Sequence, residues 1–291
     1  MKRFVLIYNP ISGHAALRQK LDYMIDAVLS RGAMVIPYRT RLNDTGMADF
    51  LREAAPDGVI AAGGDGTLRE VAGVLLREKL DLPLGLIGSG TSNDFVSHLG
   101  VNRDMEAYFD RIVAGETAFC DIGLANGRYF VNVASAGVLT SVAHEVNVQF
   151  KHALGKAAYY LRGIGEIPRF HTLGLHIEAD GKSYDERAYF FVICNSTVAG
   201  GIKNAAPLAS IDDGRLDFVA VKDCSMAEFL SLAAAVAAGT VRPDDRHILY
   251  LQAAHIRVSA DEEAESDLDG ERGPMLPLDV SVIPRALRLF A

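Results

Sequence analysis

Short, continuously apolar runs alternate with amphipathic stretches over the first part of the chain. Phe4–Tyr8 and Val59–Ala62 have the length and apolar character of buried strands, and Met34–Tyr38 and Leu84–Ile87 read as the second and fourth strands. Between and after them, the spacing of apolar positions predicts helices over Ala15–Arg31, Met47–Ala55, Leu68–Lys79, near Phe95, and over Met105–Ala114. Strand–helix alternation of this kind predicts an α/β domain, a parallel sheet with helices on both faces. Beyond about Leu124 the period changes. Tyr129–Ser135, Leu173–Ala179, Tyr184–Cys194, Leu216–Val221, Ile248–Val258 and Leu278–Ile283 read as strands. Asp180-Gly181 between two of them is a hairpin turn. Only His152–Ile164 and Met226–Ala238 read as helices there. This half is therefore expected to be a mainly antiparallel β-sandwich. The predicted organisation is an α/β domain over 1–124 and a β-rich domain over 125–283, with the last strand, Leu287–Phe290, rejoining the first domain through 284–291. No low-complexity linker separates the two, and a cleft is expected at their junction.

Composition narrows the function classes. The chain has 291 residues, is 49% apolar and 23% charged, and carries a net charge of −8, ordinary values for two globular domains. No long basic block occurs, which argues against nucleic acid as a partner. The three cysteines, Cys120, Cys194 and Cys224, lack metal-ligand spacing and read as small apolar residues in a reducing compartment. The apolar run after Met1-Lys2-Arg3 ends at Asn9-Pro10, too early for a signal peptide. The apolar stretch Phe229–Ala238 is too short to span a bilayer. The expectation is a cytoplasmic protein whose membrane contact, if any, is peripheral.

The candidate chemistry begins where the third strand meets the following helix, at Gly63-Gly64-Asp65-Gly66-Thr67. Strand, glycine turn, helix is the arrangement that brings bare backbone N–H groups to a phosphate. A carboxylate beside phosphates is repelled unless a divalent cation lies between them, so Asp65 points to a nucleotide held as its Mg²⁺ complex. The plainer reading is a turn built from Gly and Asp for geometry alone. Its company favours the first reading. Asn9-Pro10-Ile11-Ser12-Gly13 follows the first strand and Gly88-Ser89-Gly90-Thr91-Ser92-Asn93-Asp94 the fourth. Loops at the carboxyl ends of parallel strands share the edge where ligands bind. Thr91, Ser92 or Asn93 is a candidate N-cap, and Asp94 a candidate water-mediated partner of Mg²⁺ beside Asp65. Asp121 is either a turn residue at the exit from the first domain or a third acid facing the same site.

Two acidic turns lie in the second half. Asp212-Asp213-Gly214 reads as a plain turn or as a cation site, with Asp213 and the carbonyls of Ser210 and Arg215 as oxygen ligands. Asp269-Gly270-Glu271 follows an acidic run and reads as a turn presenting a carboxylate as general base to a hydroxyl. Asn43-Asp44-Thr45 and Asn195-Ser196-Thr197 match a glycosylation pattern, which has no meaning in a cytosolic chain. No Walker lysine pattern, protein-kinase H-R-D set or H-E-x-x-H is present.

These motifs together resemble the bacterial diacylglycerol kinase family of soluble lipid kinases, relatives of sphingosine kinases and, more distantly, of NAD kinases and phosphofructokinases. The resemblance implies ATP-dependent phosphorylation of a lipid hydroxyl. By position it implies that Asn9, Pro10, Ser12, Gly13, Thr40, Gly63, Gly64, Asp65, Gly66, Thr67, Leu68, Arg69, Thr91 and Asn93 bind ATP. It further implies that Asp65, Asp94 and Asp121 form an Asp–water–Mg²⁺ network, that Ser210, Asp213 and Arg215 hold a structural Mg²⁺, and that Asp269 or Glu271 is the base. Similar enzymes place the second domain on the membrane side, where they meet their lipid, and often pair as homodimers. Three positions depart from the family pattern: Arg69 in place of Asn, Ser97 in place of a basic residue, and Ser89 in place of Pro or Met. The segment from Phe150 to Arg169, with Lys151, Lys156 and Arg162 among aromatic residues, reads either as a peripheral membrane face or as an ordinary amphipathic helix. The alternatives to a lipid kinase are an NAD kinase-like enzyme with a soluble substrate and a non-catalytic nucleotide or lipid sensor.

Overall fold

The structure, a computed structural model, describes residues 1–10, 16–41, 44–88, 93–101, 104–137 and 171–291. The helix expected over 152–164 and the basic segment 150–169 lie outside the described residues, as do Ser12, Gly13 and Thr91. The chain divides into two compact units, Met1–Ile122 with Pro284–Ala291, and Gly123–Ile283.

The first unit opens with β1 (Arg3–Tyr8), α1 (Ala16–Leu29), β2 (Met34–Arg39), α2 (Met47–Ala54), β3 (Gly58–Gly63), α3 (Asp65–Arg77) and β4 (Leu84–Gly88). Next come α4 (Asp94–Leu99), α5 (Met105–Ala114) and β5 (Thr117–Ala125), whose last residues belong to the second unit. The first four strands are parallel in the order β4-β3-β1-β2. β3 and β4 are buried throughout, which is why they read as unbroken apolar runs. β2 is the edge strand of these four and the one among them that carries a proline in mid-strand, Pro37, where a missing ladder donor is tolerated. Phe4 and Phe290 meet edge to face at a centroid distance of 6.0 Å in the core.

Tyr108 on α5 solves a local problem. Leu86 lies in the middle of β4, where the neighbouring C-terminal strand pairs only at Leu289↔Leu84. The Leu86 amide donates instead to the Tyr108 hydroxyl at 2.9 Å, inside the core. Burial pushes the Tyr108 phenol up to about 12, so the hydroxyl is neutral at all ordinary pH.

The second unit contains β6 (Arg128–Phe130), β7 (Val133–Gly137), β8 (Leu173–Ala179), β9 (Lys182–Cys194), β10 (Leu216–Lys222), α6 (Met226–Ala237) and β11 (Ile248–Ala253). It continues through β12 (His255–Ala260), β13 (Glu265–Leu268) and β14 (Glu271–Met275) into β15 (Leu278–Phe290), which ends in the first unit. Within this unit β7 to β15 pair antiparallel. Alternation along β10 feeds two cores: Leu216, Phe218 and Ala220 pack with Phe191 and Ile193, while Val219 and Val221 pack with Tyr189 and Leu232. Asp180 and Gly181 take positive φ of 47° and 79° between β8 and β9, the backbone that the Asp-Gly pair predicts.

Two strands expected to be continuous are each broken in two. Tyr129–Ser135 divides into β6 and β7 because Val131 and Asn132 turn their amides out of the ladder toward the Asp269 carboxylate. Ile248–Val258 divides at Ala254. There the amides of Ala254 and His255 donate to the Asp180 carboxylate at 3.1 and 2.9 Å, and the strand changes partners from β10 to β8 and β15. Asp121 is likewise no turn residue. It is buried in β5, and its Oδ1 accepts from the Arg285 amide at 2.7 Å. In the two broken strands apolar periodicity runs through a point where a distant carboxylate interrupts the ladder.

Replacing Tyr108 with Phe strands the Leu86 amide in the core. The expected loss is about 1–3 kcal/mol of unfolding free energy, the cost of an unsatisfied buried donor, read from urea melts against wild type.

Candidate active site

The carboxyl ends of the four parallel strands fall in one line. Tyr8 pairs with Ala62 and with Arg39, and Gly63 pairs with Gly88. The segments that follow, at Asn9, Thr40, Gly64 and after Gly88, therefore leave from the same edge of the sheet. The order β4-β3-β1-β2 reverses direction between β1 and β3. In such sheets ligands usually bind outside the strand ends at that reversal. The Asn9 amide donates to Ala62 O and the Thr40 amide to Tyr8 O, which ties both segments to the edge. Tyr38, two residues before Thr40, donates to both oxygens of Asp44 at 2.8 and 2.9 Å and packs its ring on Phe50. Burial, then the Asp44 carboxylate, raises its phenol to about 12.

The glycine loop has two kinds of glycine. Gly63 is there for space: a Cβ on it would overlap the Thr67 side chain, which the first turn of α3 folds back on the strand. Gly88 stands in the same relation to Asn93, at the start of α4. Gly66 differs, because a Cβ there would meet nothing within 4 Å. Packing among the described residues gives no reason for it, whereas close approach of an anion to bare backbone does. Gly64 is the N-cap of α3 and makes no side-chain capping bond, so the helix amides are not closed off by a cap. Asp65 is the first residue of α3, and Asp94, buried, the first of α4. Asn93 is the N-cap of α4 in the left-handed conformation, again without a side-chain cap bond. The expected capping role of that cluster is therefore not made by Asn93. Leu68 is buried and packs α3 to its sheet, and Arg69 lies on the same first turns, half-buried.

The acids of the second unit separate into different roles. Asp269 and Gly270 form the two-residue turn between β13 and β14, with φ of 52° and 87°. The Asp269 carboxylate accepts from three consecutive amides: Val131 at 2.6 Å on Oδ2, Asn132 and Val133 at 2.9 Å on Oδ1. Asp267, buried, accepts from the Gly270 amide at 2.7 Å. Glu271, by contrast, is exposed at the first position of β14. Around the other acidic turn, Ser210 Oγ donates to Asp212 at 2.6 Å, and the Arg215 amide donates to Asp213 at 3.0 Å. Two residues on, Asp217 is buried, with Oδ1 accepting from Tyr250 and Gln252 and Oδ2 without a hydrogen-bond partner. Burial, with Asp213 adding, raises that carboxyl to about 6.

The structure thus gathers Asn9, Thr40, Gly63 to Arg69, Asn93 and Asp94 along one sheet edge in the first unit. It gathers Ser210, Asp213 and Arg215 in one turn of the second. Among the described residues no three His, Cys, Asp or Glu side chains are grouped closely enough to hold a metal ion by themselves. Oxygen donors in ones and twos suit Mg²⁺, which keeps most of its ligands as water and phosphate. The orphaned Asp217 oxygen beside an Asp213 turn is likewise a place where a cation would relieve a buried charge. Pattern reading passed over Asn132, Asn195 and Ser196. A polar Asn-Ser pair closing the long buried strand β9 was the signal for them, and it was set aside as a glycosylation match.

A parallel α/β unit with an uncapped glycine loop at its switch point, followed by a mostly antiparallel β unit, is the two-unit plan of a nucleotide-using kinase. Comparison with known proteins bears this out. The diacylglycerol kinase catalytic domain family model matches residues 3–125, and that of the YegS C-terminal NAD kinase beta sandwich-like domain matches residues 132–291. Diacylglycerol kinase of Bacillus subtilis (strain 168) is 35% identical over 285 residues, covering 95% of this chain and 92% of the relative. Diacylglycerol kinase of Staphylococcus aureus (strain Newman) is 31% identical over 292 residues, covering 100% and 92%. A diacylglycerol kinase crystal structure from Bacillus anthracis (strain Sterne) shares the fold, with TM-score 0.75 and 24% identity over 99% of this chain and 96% of that one. A second structure from that organism, described as a candidate diacylglycerol kinase, gives TM-score 0.81 at 27% identity over 99% and 95%. The chain belongs to the diacylglycerol kinase family, and that membership makes it a kinase.

Gly66→Ala separates the two readings of the glycine loop. It is expected to leave thermal stability unchanged or slightly raised, since Ala favours a helix over Gly. It should raise the KM for ATP about tenfold or more by blocking close approach of phosphate, a loss of roughly 1.4 kcal/mol. Unchanged KM in a folded variant would return the glycine to a geometric role.

Proposed function

We propose that the protein transfers the γ-phosphoryl group of ATP to the hydroxyl of a membrane lipid, with diacylglycerol the leading acceptor. The observation that carries this reading is the open, uncapped turn at Gly64–Gly66, set at the sheet's switch point with Asp65 beside it. The lipid acceptor is supported by the names of the relatives. The protein meets that lipid peripherally. Among the described residues no helix is long and apolar enough to cross a membrane.

ATP is the phosphoryl donor, and a bound Mg²⁺ would neutralise its charge. The backbone amides at the start of α3 would hold the phosphate oxygens, and Asp65, Asp94 and Asp121 would be the acids that hold the cation. Asn9 and Thr40 would border the nucleotide. Asp213 with the carbonyls of Ser210 and Arg215 would hold a second, structural Mg²⁺. Glu271 takes the proton of the lipid hydroxyl. The hydroxyl oxygen forms its bond to the γ-phosphorus as the bond to the β-phosphate oxygen breaks, and ADP leaves. Asp269 is the weaker candidate for base, because its two oxygens already accept three N–H bonds within the fold.

The test incubates γ-labelled ATP with vesicles carrying, in turn, dioleoylglycerol, a sphingoid base, a long-chain alcohol or phosphatidylglycerol, with NAD as a soluble control. Labelled phosphatidic acid from dioleoylglycerol is expected. Label in NADP and in no lipid would overturn the assignment. Glu271→Gln should lower kcat by about 10²–10⁴, the usual contribution of a general base, while the KM for ATP stays within about twofold, well under 1.4 kcal/mol.

A further inference from the structure

The amides of Val131, Asn132 and Val133 all point at one carboxylate. An extended strand cannot do this, because its successive amides point to opposite sides. The chain must leave the ladder here, and the groups it exposes must be met elsewhere in a buried place. A set of side chains from the end of β9 meets them. Asn195 Nδ2 donates to Val131 O at 2.9 Å, and the Asn195 amide donates to Asn132 O at 2.8 Å. Asn132 Nδ2 donates to Val198 O at 2.8 Å, and its Oδ1 accepts from Ser196 Oγ at 2.6 Å. Asn132, Asn195 and Ser196 are all buried. The result is a concave run of amides of the kind that elsewhere binds anions, filled here by Asp269. Asp269 is in turn the first residue of the turn whose next strand begins with Glu271.

We propose that Asn132, Asn195 and Ser196 are positioning residues: they shape the amide nest at Val131–Val133 that seats Asp269, and through the two-residue turn they set where the Glu271 carboxylate stands. This rests on the assignment of Glu271 as base. The network is linked to Glu271 by way of the Asp269 carboxylate, the Asp269 amide on Val133 O at 2.9 Å, and the Asp267–Gly270 bond. An apolar core would hold β7 against β9 equally well, since Val133 already pairs with Cys194. A buried polar cluster is demanding to satisfy, and what it adds is a unique geometry. Here that geometry ends at the turn bearing Glu271.

The experiment compares wild type, Asn132→Ala, Ser196→Ala and Glu271→Gln in two measurements. One is steady-state kinetics with γ-labelled ATP and dioleoylglycerol vesicles, or whichever lipid of the panel is the better acceptor. The other is hydrogen exchange at residues 131–133. Asn132→Ala and Ser196→Ala are expected to speed exchange at those amides. They should lower kcat about 10- to 100-fold, the scale of a misplacement near 1 Å, with the KM for ATP unchanged. Ser196→Ala removes a single hydroxyl and keeps the test alive if Asn132→Ala does not fold. Faster exchange with unchanged kcat would overturn the inference and leave a purely structural network. Unchanged exchange with reduced kcat would overturn it too, since the effect would not pass through the nest. If Glu271→Gln itself turns over normally, the base assignment fails first and this inference with it. An inactive Glu271→Gln beside fully active network variants sinks the inference alone.

Discussion

At the end of β3 the chain has to reverse from strand into helix with no room for a side chain at Gly63, which lies under Thr67, and at the end of β4 Gly88 likewise lies under Asn93. That steric constraint has an electrostatic consequence. The first amides of α3 arrive at the sheet edge without a capping side chain, and an uncapped helix N-terminus seeks an anion. The rest of the first unit follows from the same line of strand ends. β1 delivers Asn9 and β2 delivers Thr40 to the same edge, and Asp65 and Asp94 open their helices there.

The second unit answers the same need from within. Its exposed run of amides at Val131–Val133 is closed by Asp269, a residue of its own chain, so the nest is a joint and not a binding site. The acids of this protein therefore differ in what they do, although they look alike in sequence. Asp121 holds the Arg285 amide, Asp267 the Gly270 amide and Asp180 the Ala254 and His255 amides. Each is a fold-making carboxylate whose charge is matched by backbone donors. Glu271 stands exposed beside one of them, on a turn that three such bonds make rigid.

Much of this was legible in the residues. Buried parallel strands announce themselves as unbroken apolar runs, and β1, β3 and β4 are of that kind. Turn chemistry was equally plain: Asp180-Gly181 and Asp269-Gly270 both take the positive φ pair that such dipeptides favour. What escaped were events decided by partners far along the chain. The Tyr129–Ser135 and Ile248–Val258 runs are apolar enough to be single strands, and only the carboxylates of Asp269 and Asp180, more than seventy residues away, break them. Asp269 and Glu271 were equivalent as letters for the same reason. Nothing local distinguishes a carboxylate that will find three amides from one that will not. The Asn195-Ser196 pair was misjudged because its polarity was referred to an outside modification and not to a buried partner, Asn132.

In the proposed mechanism the amides of residues 64–66, at the start of α3, receive a triphosphate. Hydrogen exchange of the whole protein with and without Mg²⁺ and a non-hydrolysable ATP analogue reads those amides directly. Strong protection is predicted at residues 64–66, whose neighbours Thr67 and Leu68 already donate to Gly64 O. Binding of the analogue without slowed exchange at 64–66, or protection confined to another part of the chain, would contradict it.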